Sequence, residues 1–304
     1  MKEQSGREDT QYAIHNTQYA SPSIDGQTQL TGIIGWPVSH SFSPAMHNAA
    51  FADLGLNWAY VPLPVPPDRV ETAVRGLPAL GFRGVNVTVP HKQAVMPFLD
   101  EIEAGAKAIG AVNTIVVGED GRLTGCNTDW SGFLADLEAL AVPARGRDCL
   151  VLGAGGSARA VVYALAQAGG RVQVLARRPS QAEQLVGDLR PYGAGALEAR
   201  PLTEVCRVAA AANAPLIVNT TPLGMTPREE TSPWPNNCPV PPGAYVYDLV
   251  YNPRQTHLIQ QAQETGCAAT NGLGMLLWQG ALAFKLWTGV EPSLSVMRAA
   301  LSRG

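Results

Sequence analysis

The sequence predicts an α/β protein of two α/β domains, the second of them Rossmann-like, and three observations carry that prediction. The chain has 304 residues, 46% of them hydrophobic and 15% charged, enough to bury two cores rather than one. Short β-rich runs alternate with alanine-rich helical patterns over 29–117 and again from Cys149 onward. Between a strand and a helix of the second series lies Gly153-Ala154-Gly155-Gly156-Ser157-Ala158, in the context that separates a dinucleotide fingerprint from a chance glycine cluster.

Taken in chain order, residues 1–28 are mostly polar, with most of their charge in the first nine, and read as a flexible N-terminal extension. Strands are predicted at 30–35, 58–63, 84–89 and 114–117, in a βαβα pattern. The helices between them are 44–54, opened by Ser43 as N-cap with Pro44 at its first position, and 69–80, opened by Asp68 after a proline-rich loop. On the third strand Asn86 and Thr88 occupy alternate positions and turn both polar side chains to one face, with Lys92 just beyond the strand end. A helix at 130–140 precedes the second series. There a strand at 149–152 feeds the glycine turn, an Ala/Val-rich helix runs to Gly169-Gly170, and strands follow at 171–176, 216–219 and 245–249. The proline- and asparagine-rich stretch 222–243 reads as an irregular loop over the carboxyl edge of the sheet. Residues 274–287 are helical by pattern but unusually apolar, which suits a helix packed between two domains, and Gln279 is conspicuous among them.

Several function classes are excluded. A formal net charge of −3, with no run of Lys and Arg, does not attract nucleic acid. No segment approaches the roughly twenty apolar residues that span a bilayer, and the N-terminus has neither an apolar signal core nor an Arg-rich amphipathic face. Cys126, Cys149, Cys206, Cys238 and Cys267 are scattered without a Cys-x-x-Cys pair, a usage that fits reduced thiols and the cytoplasm. His40, His47 and His91 lack metal-ligand spacing on any one element and have no cysteine partners, so no metal is expected.

In the glycine turn, Gly153 permits the tight bend, Gly155 lets the backbone approach a pyrophosphate, and small Ala158 allows close helix packing. The helix N-terminus favours the anion. The alternative is a plain strand-to-helix turn. NAD-preferring folds place an acidic residue at the end of the next strand, whereas strand 171–176 ends in Arg177-Arg178. Two guanidinium groups suit a 2′-phosphate through charge-assisted hydrogen bonds and indicate NADP; the alternative is that one or both face solvent. Between the first strand and first helix, hydroxyls at Ser41 and Ser43 suit a carboxylate near a helix N-terminus, or Ser43 serves only as the cap.

These residues are specific enough for a resemblance: from about Gln29 to the C-terminus the chain resembles the shikimate dehydrogenase family. The matching motifs are His40-Ser41-x-Ser43-Pro44-x-Met46-His47-Asn48, Asn86-Val87-Thr88-Val89-Pro90-His91-Lys92, Gly110-Ala111-Val112-Asn113-Thr114 and Asn127-Thr128-Asp129. The glycine turn, Asn219-Thr220-Thr221-Pro222-Leu223-Gly224-Met225, Tyr247-Asp248-Leu249-Val250-Tyr251-Asn252-Pro253 and Asn271-Gly272-Leu273-Gly274-Met275 with Gln279 complete the set. The resemblance implies a substrate-binding domain of 29–128 plus 273–304 and a Rossmann-like NADP-binding domain of 129–272, with a cleft between them across which Lys92 and Asp129 meet. It implies that Ser41 and Ser43 hold the substrate carboxylate with help from Tyr251, while Asn86, Thr88, Asn113, Asp129 and Gln279 bracket the ring and its hydroxyls. It places Gly153, Ala154, Gly155, Gly156, Ser157, Ala176, Arg177, Arg178, Thr220, Leu249 and Gly272 against NADP. The implied partners are small molecules alone, in a monomer or homodimer.

The implied activity is the reversible NADPH-linked reduction of 3-dehydroshikimate to shikimate, in aromatic amino acid (chorismate) biosynthesis. Adding hydride to the C3 ketone leaves an alkoxide that needs a proton, and Lys92 beside Asp129 is the candidate pair for that demand. Whether Lys92 is proton donor or electrostatic anchor is open at this level, and Asp129 has a second reading as N-cap of helix 130–140. The chain departs from its relatives in having Ala176-Arg177-Arg178 where Asn-Arg-Thr is frequent, and in Gln181 and Ala104 at positions often charged. Two rivals share the scaffold. One is a quinate/shikimate dehydrogenase preferring NAD, disfavoured by Arg177-Arg178 and Ser43. The other is a catalytically idle NADP-binding sensor, disfavoured by intact Lys92 and Asp129.

Overall fold

The computed structural model describes residues 24–193 and 195–302, so the extension expected at 1–28 lies mostly outside the described residues. The first part of the chain builds β1 (Gln29–Gly35), α1 (Ser43–Asp53), β2 (Trp58–Pro64), α2 (Val70–Gly76), β3 (Phe82–Val87), β4 (Glu101–Ile102), α3 (Ala104–Ile109), β5 (Thr114–Val117) and β6 (Leu123–Cys126). Among the described residues these strands form a six-stranded sheet ordered β2-β1-β3-β5-β6-β4. Strand β5 runs antiparallel to both β3 and β6, so the expected βαβα alternation ends instead in a hairpin. The cause is local: Gly118-Glu119-Asp120-Gly121 makes a tight turn, Gly118 N–H donating to Arg122 O at 2.9 Å, and leaves no chain for a crossover helix.

Three boundaries differ from expectation for identifiable reasons. Strand β3 stops at Val87, short of residue 89, because the chain turns there, His91 N–H bonding Thr88 O at 2.9 Å around donor-less Pro90. Helix α2 ends at Gly76, two residues before Pro78, and a 3-10 turn at Pro67–Arg69 replaces its expected first turn. Ser43 is the first residue of α1 rather than its cap: the cap position is Phe42, and no side chain caps that helix.

The remaining chain forms α4 (Thr128–Ala139), β7 (Asp148–Leu152), α5 (Gly156–Gln167), β8 (Arg171–Ala176), α6 (Pro179–Leu189), β9 (Leu197–Pro201), α7 (Val205–Ala211), β10 (Leu216–Asn219), β11 (Tyr245–Asp248), α8 (His257–Glu264), β12 (Ala268–Asn271), α9 (Leu273–Thr288) and α10 (Leu294–Leu301). Its strands make a second six-stranded sheet, all parallel, ordered β12-β11-β10-β7-β8-β9. The winding reverses between β7 and β10, which opens the crevice where such folds bind nucleotides.

The loop at 222–243 has no regular element, as its composition predicts, yet it is anchored. Trp234 is fully buried and donates from Nε1 to Cys238 O at 2.7 Å, and Cys238 is joined to Cys206 of α7 by a disulfide with Cα atoms 5.7 Å apart. That pair corrects the expectation of reduced thiols throughout. The two cysteines stand 32 residues apart in sequence, a separation that gives no hint of pairing. Cys126, Cys149 and Cys267 are free and buried.

Helix α9 joins the two halves. Leu277, Phe284 and Trp287 enter the core that also holds Met46, Phe51 and Tyr60, whereas Met275 enters the core of the second sheet. Its first turn is pinned by Tyr247, whose hydroxyl donates to Asp136 Oδ2 of α4 at 2.5 Å while accepting from Met275 N–H at 3.2 Å. No helix among the described residues is long and apolar enough to cross a membrane.

Helices α4 and α9 cross at Gly132, where a Cβ would stand 2.6 Å from Gln279 N and 2.9 Å from its Cα. Backbone atoms cannot yield as a flexible side chain would. Gly132→Ala is therefore expected to lower stability by about 1–3 kcal/mol, read as a lowered denaturation midpoint; an unchanged midpoint contradicts the close crossing.

Candidate active site

The carboxyl ends of β3 and β6 and the amino end of the antiparallel β5 converge on one polar cluster. Lys92, in the turn after β3, reaches Asp129 in the first turn of α4, with Nζ 2.6 Å from Oδ2. Their side chains are 13% and 8% exposed, so this ion pair is largely withdrawn from solvent screening. Asp129 is free for it because the cap of α4 is Asn127, whose Oδ1 accepts from Asp129 N–H at 3.1 Å and Trp130 N–H at 3.4 Å. The capping alternative for Asp129 is thereby removed.

Asn113 organises what surrounds the pair. Its Oδ1 accepts from Thr128 N–H at 2.7 Å, which turns its Nδ2 towards Asp129 Oδ1 at 3.0 Å and Gln279 Oε1 at 3.3 Å. Asp129 is thus tied to the first sheet. Asn86, at the end of β3, donates from Nδ2 to Asn113 O at 3.2 Å and to Thr114 Oγ1 at 3.1 Å, and accepts at Oδ1 from Tyr60 OH at 2.8 Å. Thr88 is half-buried with its methyl group over Gly35. Sequence reading does not single out Tyr60, Thr114 or Asn127; only Asn127, preceding Thr128-Asp129, carries a capping signal.

Ser41 and Ser43 stand where β1 gives way to α1. Ser43 is buried, its N–H donating to Ser41 Oγ at 3.3 Å. Burial raises the Tyr60 phenol well above the usual tyrosine range, and the Ser43 hydroxyl beside it works in the opposite direction. Between the two serines, the Phe42 ring lies 5.4 Å from that of Tyr251, which follows β11. Tyr251 is thereby brought from the second sheet to the serine turn.

The residues expected at a cofactor line the carboxyl edge of the second sheet. Gly153 to Ser157 follow β7, Ala176 to Arg178 close β8, and Thr220, Leu249 and Gly272 follow β10, β11 and β12. Gly153 has φ +113°, and a Cβ there would lie 2.6 Å from Thr220 Oγ1, so only glycine fits the turn. The approach to Gly155 is open, and α5 begins without a side-chain cap or an acidic residue in its first turn. Its leading N–H groups are thus available to an anion. Arg177 and Arg178 are exposed beside them, and this set fits a dinucleotide carrying a 2′-phosphate. Lys92 Cδ lies 4.0 Å from the position a Gly156 Cβ would take, so the ion pair adjoins the glycine turn. Beneath the crevice Asn219 Nδ2 donates to Asp248 Oδ1 at 2.8 Å, and Thr256 Oγ1 donates to Asp248 Oδ2 at 2.6 Å. Burial pushes the Asp248 carboxyl up to about 6, these hydrogen bonds opposing it.

Comparison with known proteins agrees with this geometry. The family model for the shikimate dehydrogenase substrate binding domain matches residues 33–115, and that for the shikimate 5'-dehydrogenase C-terminal domain matches residues 272–301. The NADP(+) shikimate dehydrogenase of Rubrobacter xylanophilus is 49% identical over 283 residues, covering 92% of this chain and 98% of that protein. A solved shikimate dehydrogenase in complex with NADP+ superposes with a TM-score of 0.86 at 39% identity, covering 93% of this chain and 98% of the other. Shikimate 5-dehydrogenase of Thermus thermophilus, solved with NADP(H) and shikimate, gives 0.79 at 41% identity, covering 90% and 99%. With such identity maintained over nine-tenths of its length, the chain belongs to the shikimate dehydrogenase family.

Proposed function

We propose that this chain is an NADP-dependent shikimate dehydrogenase, reversibly reducing 3-dehydroshikimate to shikimate in chorismate biosynthesis, with Lys92 and Asp129 as the catalytic pair. The observation that carries the reading is the 2.6 Å contact of Lys92 Nζ with Asp129 Oδ2, placed between the substrate-side cluster and the glycine turn. Bound NADPH supplies the hydride. The Lys92 ammonium then stands at the oxygen on which negative charge develops, where a fixed positive donor in a dry site stabilises the alkoxide and a proton must be delivered. Asp129, held by Asn113, keeps that ammonium in place. Ser41, Ser43 and Tyr251 receive the substrate carboxylate, and Asn86, Thr88, Asn113 and Gln279 bracket the ring.

In this reading the first sheet with α9 and α10 is the substrate-binding domain, corresponding to 29–128 plus 273–304, and 129–272 is the NADP-binding domain. Gly153, Ala154, Gly155, Gly156 and Ser157 cradle the pyrophosphate, Arg177 and Arg178 take the 2′-phosphate, and Ala176, Thr220, Leu249 and Gly272 border the dinucleotide. The enzyme is placed in the cytoplasm, with its soluble substrate, as a monomer or homodimer.

The deciding assay is initial-rate oxidation of shikimate and, separately, of quinate by purified protein with NADP or NAD. Shikimate turnover with NADP preference is expected. Quinate turnover with NAD would overturn the specificity, and no turnover of either would overturn the activity. Lys92→Ala should lower kcat by about 10²–10⁴-fold, the usual range for a lost acid–base group; near-normal kcat removes Lys92 from the chemistry. Replacing Arg177 and Arg178 together by alanine should raise KM for NADP roughly tenfold or more through loss of charge-assisted bonds, with KM for NAD unchanged. Equal effects on both cofactors would contradict a 2′-phosphate site.

A further inference from the structure

Tyr60 of β2 stands between the two halves of the substrate site. It is 2% exposed, and its ring is stacked on that of buried His47, the centroids 4.4 Å apart and the planes 4° from parallel. The ring is therefore fixed, and the hydroxyl it carries has one direction to point. That hydroxyl donates to Asn86 Oδ1 at 2.8 Å. Both hydrogens of Asn86 Nδ2 are committed elsewhere, to Asn113 O at 3.2 Å and Thr114 Oγ1 at 3.1 Å. Asn86 accordingly has no donor left and can offer substrate only the remaining lone pair of Oδ1.

Thr114 passes the order on. Having accepted from Asn86, its hydroxyl donates to Asn113 Oδ1 at 3.1 Å, the same oxygen that accepts from Thr128 N–H at 2.7 Å. The Thr128 hydroxyl lies against the same amide, 3.0 Å from Nδ2 and 3.3 Å from Oδ1, and 3.2 Å from Thr114 Oγ1; with the Thr128 N–H and the Thr114 hydroxyl donating to Oδ1, the nitrogen is left facing Asp129. All these side chains are buried, where turning either amide over would set acceptor against acceptor and leave donors unpaired.

We propose that Tyr60 and Thr114 are positioning residues of this enzyme: their hydroxyls fix the amide orientations of Asn86 and Asn113, so that Asn86 presents an acceptor to a substrate ring hydroxyl and Asn113 presents a donor to Asp129. The inference rests on the dehydrogenase reading above and adds a source of substrate selectivity to it. Recognition at Asn86 is one-way, requiring a hydroxyl that donates.

The test compares wild type with Tyr60→Phe, which keeps the stacked ring, and with Thr114→Val and Thr114→Ser. Each is assayed with NADP on shikimate and on shikimate analogues lacking one ring hydroxyl apiece, with melting temperatures measured alongside. Tyr60→Phe should raise KM for shikimate by about 5- to 20-fold, as for loss of one buried hydrogen bond, without changing KM for NADP. The penalty should vanish for the one analogue that lacks the hydroxyl Asn86 receives, because the paired changes then share a single interaction. Thr114→Val should lower kcat, and Thr114→Ser should restore it. Wild-type kinetics in Tyr60→Phe, or an equal penalty on every analogue, would overturn the inference while shikimate turnover by the wild type stands. A wild type inert towards shikimate would overturn the dehydrogenase reading and this extension of it together. Should Tyr60→Phe fail to fold, the valine and serine variants at 114 decide: equal kcat in the two overturns the inference.

Discussion

The hydrogen bond from Thr128 N–H to Asn113 Oδ1, at 2.7 Å, is the constraint on which the order of the site depends. A backbone donor cannot rotate away, so together with the Thr114 hydroxyl on the same oxygen it sets which end of the Asn113 amide faces Asp129, and Asp129 in turn holds Lys92. The bond exists because Asn113 leads into β5 and Thr128 opens α4 at the end of the neighbouring strand, β6. The β5–β6 hairpin is thus more than a departure from regular α/β winding. It places the start of α4 beside the end of β3 and makes a lysine and an aspartate 37 residues apart into neighbours.

The same economy governs the junction of the two sheets. Helix α9 contributes to both cores, crosses α4 at Gly132, and carries Gln279 to Asn113. Arg159 of α5 makes a further tie, donating to the carbonyl of Ile109 at the end of α3 while pairing with Asp188 at 3.0 Å. A cation suits that helix end, where the carbonyl dipoles leave partial negative charge. The substrate-side cluster and the glycine turn are therefore held against each other by packing and by charge, which brings Lys92 beside Gly156.

Much of this was legible in the sequence because it rests on local rules. Strands 114–117, 171–176 and 216–219 appear with those limits, and the glycine turn sits between strand and helix as its spacing requires. The site residues came from motif order, which periodicity alone could not supply. The hairpin turn carries an Asp120-Gly121 dipeptide, but the alternation of strand and helix before it points to a crossover instead. Other features had no local signal. Tyr60 looks like any aromatic in a buried strand until its partner Asn86, 26 residues away, is seen. Ser43 before a helix has the composition of a cap, yet Phe42 occupies that position, and Cys206 lies 32 residues from its partner Cys238 with no local signal of pairing.

The most direct test of the central claim is the turnover number of Asp129→Asn on shikimate with NADP, since that change keeps the shape of the side chain and removes its charge. An enzyme that depends on an ammonium held by this carboxylate should lose about 10²-fold or more in kcat, with KM for NADP near the wild-type value. A variant turning over at close to the wild-type rate would show that the Lys92–Asp129 pair is a structural contact, and the proposed chemistry would have to be sought elsewhere.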